Sequence, residues 1–175
     1  LKEIAKLCET RLRDTAGAVA AWQGVVALDP ADREASQSLR RLLQKTEQWD
    51  ELASVLARAA LATTDKAEQK QTLQELVRVQ RDKRKDQTDT ADALVQLLAL
   101  DASDVTVRDE LTDLLLALER WDEAVPLLEQ RVESSAQDRD RQRWLGVLAS
   151  VLHDRLDNVD RAFEVCEQLL KLKPD

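Results

Sequence analysis

Trp121-Asp122-Glu123-Ala124-Val125-Pro126-Leu127-Leu128 decides how this chain is read, because Trp49-Asp50-Glu51-Leu52-Ala53-Ser54-Val55-Leu56 stands upstream in the same pattern. The offset, 121 − 49 = 72 residues, aligns much of the rest. Ala27-Leu28-Asp29 falls on Ala99-Leu100-Asp101, Asp32 on Asp104 and Leu39 on Leu111, and two steps carry Pro30 through Ala102 to Pro174. Self-similarity at a fixed period marks a repeat architecture, in which each unit has an apolar face that only its neighbours bury.

Composition agrees with helical layers. The 175 residues include three Gly, three Pro, one Phe and no Tyr. Leu, Val and Ala must therefore fill the interior without the area that aromatics usually supply. So few Gly and Pro leave long helices uninterrupted. A net charge of −8 opposes general binding to a phosphate backbone. Both signs of charge are interspersed, which suits solvated helix faces with i,i+4 pairs. The sequence holds no run of eighteen apolar residues, so no membrane span is expected. Leu1 already sits in a helical pattern, and the chain reads as a cytoplasmic excerpt of a longer array. Cys8 and Cys166, at opposite ends of that array, are too distant for a disulfide and are expected as buried, reduced thiols.

Apolar residues recur at 3–4 spacing along the whole chain. Leu1, Ile4, Ala5, Cys8 and Leu12 form one stripe; Ala18, Trp22, Val25 and Val26 form the next, stopped by Pro30. Asp32 and Asp104 are expected N-caps ahead of Leu39-Leu42-Leu43 and Leu111-Leu114-Leu115. Trp49 and Trp121 open the helices that follow, and with Trp22 they are expected in the core. Asp65-Lys66-Ala67-Glu68 reads as a capping box. Asn158 caps a last helix bearing Ala162, Phe163, Cys166, Leu169 and Leu170. The result is ten helices in five hairpins, about 1–31, 32–64, 65–103, 104–136 and 137–175. Their spacing alternates, 52 − 18 = 34 and 162 − 124 = 38 residues between corresponding Leu and Ala positions. The extra residues fall around Glu9 to Asp14, Arg81 to Asp86 and His153 to Asn158.

These residues resemble the tetratricopeptide repeat, whose motif runs Trp-x2-Leu-Gly-x2-Tyr, then Ala-x3-Phe, then Pro. Ala18-x3-Trp22 with Pro30 and Ala162-x3-Cys166 with Pro174 match its second half, and Leu145-Gly146-x2-Ala149 resembles its first. Elsewhere the glycine position holds Arg40, Gln74 and Thr112, so helix packing there must be looser or shifted. The resemblance implies an all-α, right-handed superhelical solenoid of about five antiparallel hairpins. It also implies that first helices line a concave groove for a protein or peptide partner. By phase that groove carries Gln37, Ser38, Arg41, Lys45, Gln71, Thr72, Glu75, Asp109, Glu110, Asp113, Arg143, Trp144 and Val147. The candidate partner-binding residues are Arg41, Lys45, Glu75, Asp109, Glu110, Arg143, Trp144 and Val147. The carboxylate clamp of the chaperone-binding subgroup is absent, since its places carry Gln37, Arg41, Thr72, Thr106 and Glu110.

No His-Glu-x-x-His, phosphate-binding glycine loop, Cys-x-x-Cys or Gly-x-Ser-x-Gly pattern occurs, and His153 is the one histidine. Neither catalysis, a cofactor nor a metal is expected. The basic run Arg81 to Lys85 is interrupted by Asp82 and reads as a solvated helix end, where the dipole favours cations. Arg139, Arg141 and Arg143 alternate with Asp138 and Asp140 and are read the same way. The sequence thus predicts a non-enzymatic scaffold holding a partner segment. The alternatives are a structural segment of a large assembly, self-associating through its end repeats, and a regulatory array attached to a catalytic domain.

Overall fold

The structure is a computed structural model that describes residues 1–30 and 32–172; Pro174, expected to stop the last helix, lies outside them. It is all-α. The helices are α1 (Lys2–Leu7), α2 (Thr15–Leu28), α3 (Arg33–Lys45), α4 (Trp49–Ala62), α5 (Lys66–Arg78), α6 (Gln87–Leu100), α7 (Val105–Ala117), α8 (Trp121–Ser134), α9 (Asp138–Ser150) and α10 (Val159–Lys171). They form two compact units, Leu1–Leu100 and Asp101–Asp175. Within each unit every helix packs on the one before it.

Acidic and amide side chains start most of these helices. Asp14, Asp32, Asp104 and Asn158 accept from the backbone N–H three residues on, satisfying a donor that the first turn leaves open. The capping box at Asp65 forms only in part. Asp65 accepts from the N–H groups of Ala67 and Glu68, but its own N–H goes to Thr63 Oγ1. The Glu68 carboxylate instead accepts from Arg33 and Thr63, because a cation on the neighbouring helix outcompetes a backbone amide for it.

The extra residues of the longer hairpins appear as π-helical turns. Cys8–Leu12 extends α1, Val79–Arg84 extends α5 and Val151–Arg155 extends α9. Each closes with the same bond, from Asp14 N–H to Cys8 O, Asp86 N–H to Gln80 O and Asn158 N–H to Leu152 O. Each holds one left-handed residue, Arg13, Lys85 or Asp157, again spaced by 72. The shorter hairpins turn through left-handed Glu47 and Glu119, with Gln48 and Arg120 donating to the carbonyls of Leu43 and Leu115. A Cβ in this region costs energy that glycine avoids. Lys85→Gly and Glu119→Gly are each expected to stabilise the protein by about 0.5–1 kcal/mol, read as a higher Tm.

The core is aliphatic, with Leu39, Leu43, Leu52, Leu56, Leu73, Leu111, Leu128 and Leu145 almost wholly buried. Trp22 is core as expected, and its Nε1 donates to Glu9. Trp49 and Trp121 are not: each is half-buried at the start of its helix. A cation from the next hairpin's π turn lies over each ring, Lys83 over Trp49 at 4.9 Å and Arg155 over Trp121 at 5.2 Å. Cys8 is buried but Cys166 is exposed, and both are free thiols. Cys166, expected buried, shares its exposed face of α10 with Phe163 and Leu170.

Cross-helix ion pairs stitch the first unit. Lys2 bridges Asp32, Lys6 bridges Glu34 at 2.8 Å, Arg33 bridges Glu68 at 3.1 Å and Arg40 pairs with Glu75. Arg40 stands at a position where the family motif has glycine, and it is accommodated by reaching sideways to that carboxylate. The lysines hold the Asp32 and Glu34 carboxyls below the usual carboxylate range, and their own ammonium groups are raised. A depressed carboxyl stabilises above its unfolded pKa, and that contribution is lost as pH falls through the folded value. A raised lysine stabilises below its unfolded pKa and loses its contribution as pH rises through the folded value. Wild type should therefore out-melt Lys2→Ala/Lys6→Ala near neutrality, with the difference vanishing below about pH 4 and shrinking again above about pH 10. Thermal melts across pH read this directly.

Candidate functional site

A cluster of charged and aromatic side chains lies across α7, α8 and α9. Asp109 and Asp113 stand one turn apart on α7, and Arg131 reaches both from α8. Its Nη1 is 2.6 Å from Asp113 and its Nε 3.4 Å from Asp109. Arg108 faces the same Asp109 oxygen at 3.6 Å, so one buried carboxylate oxygen sits between two guanidinium groups. Arg108 is itself buried and donates through Nη2 to Ser134 Oγ at 2.9 Å. The flat face of Arg131 lies over the Trp144 ring on α9, 3.7 Å from its centroid, and Arg143 lies 4.7 Å from the same ring. A planar guanidinium can stack and still hold carboxylates at its edge, which an ammonium cannot do.

Beside this cluster an open groove of about 570 Å³ runs along α9. Arg143, Gly146, Val147 and Ser150 of α9, with Val151, Asp154 and Arg155 of its π turn, line the groove together with Leu116 and Trp121. Two arginines, an aspartate, an aromatic edge and three aliphatic side chains therefore share one surface. Nothing lies within 4 Å of where a Cβ on Gly146 would stand, and the residue opens onto the groove. Gly146→Ala is expected to raise stability by about 0.5–1 kcal/mol, because alanine removes the entropic cost of a mid-helix glycine without a clash. Chemical denaturation would check this.

The structure brings together Asp109, Arg143 and Trp144 through Arg131, and sets Val147 one turn from Arg143 in the groove. Glu110 is half-buried on α7. Arg41, Lys45 and Glu75 lie in the other unit. Arg41 pairs with Glu9, Glu75 pairs with Arg40, and Lys45 is exposed at the end of α3. Thr72, expected in the groove, is buried instead beside Leu73 and Leu76. Arg108, Arg131 and Arg155 were missed. The signal for Arg155 was present: it follows Trp121 by 34 residues, as Lys83 follows Trp49.

The basic runs are largely spent inside the units. Arg84 binds Asp50 at 2.6 Å and Asp89 at 2.5 Å, which raises its pKa, first through the bond to Asp89. Arg141 donates to the carbonyls of Val132 and Ser135. His153 is exposed beside Asp154. Among the described residues no group of three His, Cys, Asp or Glu is placed to hold a metal ion, and no helix is long and apolar enough to cross a membrane.

Antiparallel helical hairpins packed in sequence within each unit define an all-α helical-repeat protein. The tetratricopeptide repeat family model matches residues 108–142, from α7 through α8 into α9. No curated protein gives a match. Among solved structures the chain is similar to MamA, at 16% identity and a TM-score of 0.43, over 97% of this chain and 94% of that one. It is similar to YrrB, a TPR protein with an unusual peptide-binding site, at 18% identity and a TM-score of 0.44, over 98% and 84%. It is also similar to BtubC from P. vanneervenii, at 17% identity and a TM-score of 0.39, over 94% and 73%.

Proposed function

We propose that this protein is a non-enzymatic scaffold that holds an extended segment of a partner protein in the groove along α9. The observation that carries this reading is the groove's composition. Arg143 and Arg155 offer cations at its edges, Trp121, Val147 and Val151 offer apolar contact, and Gly146 lets a backbone approach the helix. Arginine and tryptophan are the side chains that most often anchor interfaces. The segment that fits has an apolar side chain flanked by a carboxylate. Arg131 does not bind the partner; it holds Trp144 and α7 in place beneath the groove.

Selection of short displayed peptides on the immobilised protein tests this. Peptides with an acidic residue next to a large apolar one should be enriched. They should bind Arg143→Glu and Gly146→Leu at least about tenfold more weakly, the loss of one charge-assisted contact or of the open floor. Enrichment of peptides indifferent to both changes would sink the groove assignment.

A further inference from the structure

We propose that the first unit binds a small aliphatic monocarboxylate in a cleft of about 240 Å³ formed by α3, α4 and α5. The 72-residue repeat shows what sets this place apart. Arg108, Arg131, Ser134 and Trp144 stand 72 residues beyond Ser36, Ala59, Ala62 and Thr72. In the second unit these side chains meet: Arg108 donates to Ser134 at 2.9 Å, and Arg131 covers the Trp144 ring at 3.7 Å. In the first unit the four shorter side chains at the same positions line the cleft. Space that the second unit fills with its own side chains is left open in the first.

One wall of the cleft carries a buried polar group with nothing to bind. Thr72 is 3% exposed, and its hydroxyl has no hydrogen-bond partner among the described residues. The buried Thr90 and Thr112 behave differently, each donating to the carbonyl four residues earlier, at 2.5 Å and 2.7 Å. A buried hydroxyl left unpaired costs free energy, and an acceptor placed in the cleft would relieve it. On α3, Ser36 lines the cleft and its hydroxyl is also without a partner. Arg40 stands one turn beyond Ser36, with its side chain 22% exposed. One of its guanidinium nitrogens goes to Glu75, which leaves further N–H donors on the same plane.

Two hydroxyls and a guanidinium suit a carboxylate, whose two oxygens accept from a planar donor and from neighbours on either side. The charged residues lining the cleft are Asp32, Arg33, Arg40 and Glu68, so their formal charges cancel. The two acidic groups oppose a phosphate dianion more strongly than a single carboxylate. Glu68 already accepts from Arg33 at 3.1 Å and Thr63 at 3.3 Å, so it does not call for a cation. Pro30, Ala59 and Ala62 give an apolar wall for a short aliphatic body. A cavity of about 150 Å³ holds benzene, so this cleft holds roughly eight to ten non-hydrogen atoms. Hexanoate falls in that range, whereas a glutamate side chain, at about five, leaves much of the cleft unfilled.

Titration of the full chain with hexanoate, followed by amide nuclear magnetic resonance, tests the inference. Shifts should be confined to α3, the end of α4 and α5, and should saturate below about 10 mM. Hexanamide, which has the same shape without the charge, should bind at least about tenfold more weakly. N-acetylglutamate methylamide, which offers the carboxylate as a partner protein's side chain would, should also be at least about tenfold weaker. Thr72→Val keeps the side chain's shape and should melt no lower than wild type, because it removes an unpaired hydroxyl. It should still bind hexanoate about tenfold more weakly. Ala59→Arg, which installs the second unit's side chain, should abolish the shifts. Shifts that fail to saturate, hexanamide binding equally well, tighter binding of the capped glutamate, or either variant binding like wild type would overturn the proposal.

Discussion

Leu111→Asp is expected to unfold the second unit, lowering stability by more than about 4 kcal/mol. Leu111 is 2% exposed on α7, in line with Val107 and Leu115. A carboxylate there must either stay charged without a partner or take up a proton, and both routes cost several kcal/mol. Leucine's own burial is lost as well. The repeat makes a second demand. Leu39, 72 residues earlier, is fully buried on α3, so Leu39→Asp should damage the first unit to a similar degree. Each change should lower Tm by roughly 2–4 °C per kcal/mol for a chain of this size. Unchanged melts would remove the assignment of these leucines to equivalent layers.

Arg131→Ala is expected to cost about 2–3 kcal/mol, an unusual penalty for a charged residue on a helix of small hairpins. Its side chain is 14% exposed and serves three groups at once: Asp109, Asp113 and the Trp144 ring. Removing it leaves the buried Asp109 oxygen with Arg108 alone, at 3.6 Å, and uncovers the ring. Arg131→Lys should recover part of the loss, since it restores the charge without the flat stacking face. A double-mutant cycle with Trp144→Ala should give a coupling of about 0.5–1 kcal/mol for the stack itself. Denaturant unfolding of the four proteins measures it; a coupling of zero would mean that Arg131 acts through the aspartates only.

The repeat made most of the architecture legible. Trp49 and Trp121, the caps Asp32 and Asp104, and the leucine stripes all stand on helices, because periodicity and capping are local properties of the chain. The three longer first helices were also placed by their extra residues, though sequence gave no sign that these become π turns closed by left-handed residues. What remained hidden depended on contacts between helices. Trp49 and Trp121 fit a core stripe by phase, but only the fold shows them half-buried under Lys83 and Arg155 of the next hairpin. Arg131 looked like any solvated cation, since its partners Asp109, Asp113 and Trp144 come from two other helices. Phase alone also put Arg41, Lys45 and Glu75 in one groove with Trp144. In the structure Arg41 pairs with Glu9 and Glu75 with Arg40, contacts that phase alone does not show.

Hydrogen–deuterium exchange with a selected peptide bound tests most directly the proposed seating of a partner segment along α9. Protection should rise on the peptide's arrival across α9, its π turn and the start of α8, and should stay unchanged in α1 to α6. Protection confined to the first unit, or none on α9, would contradict the account.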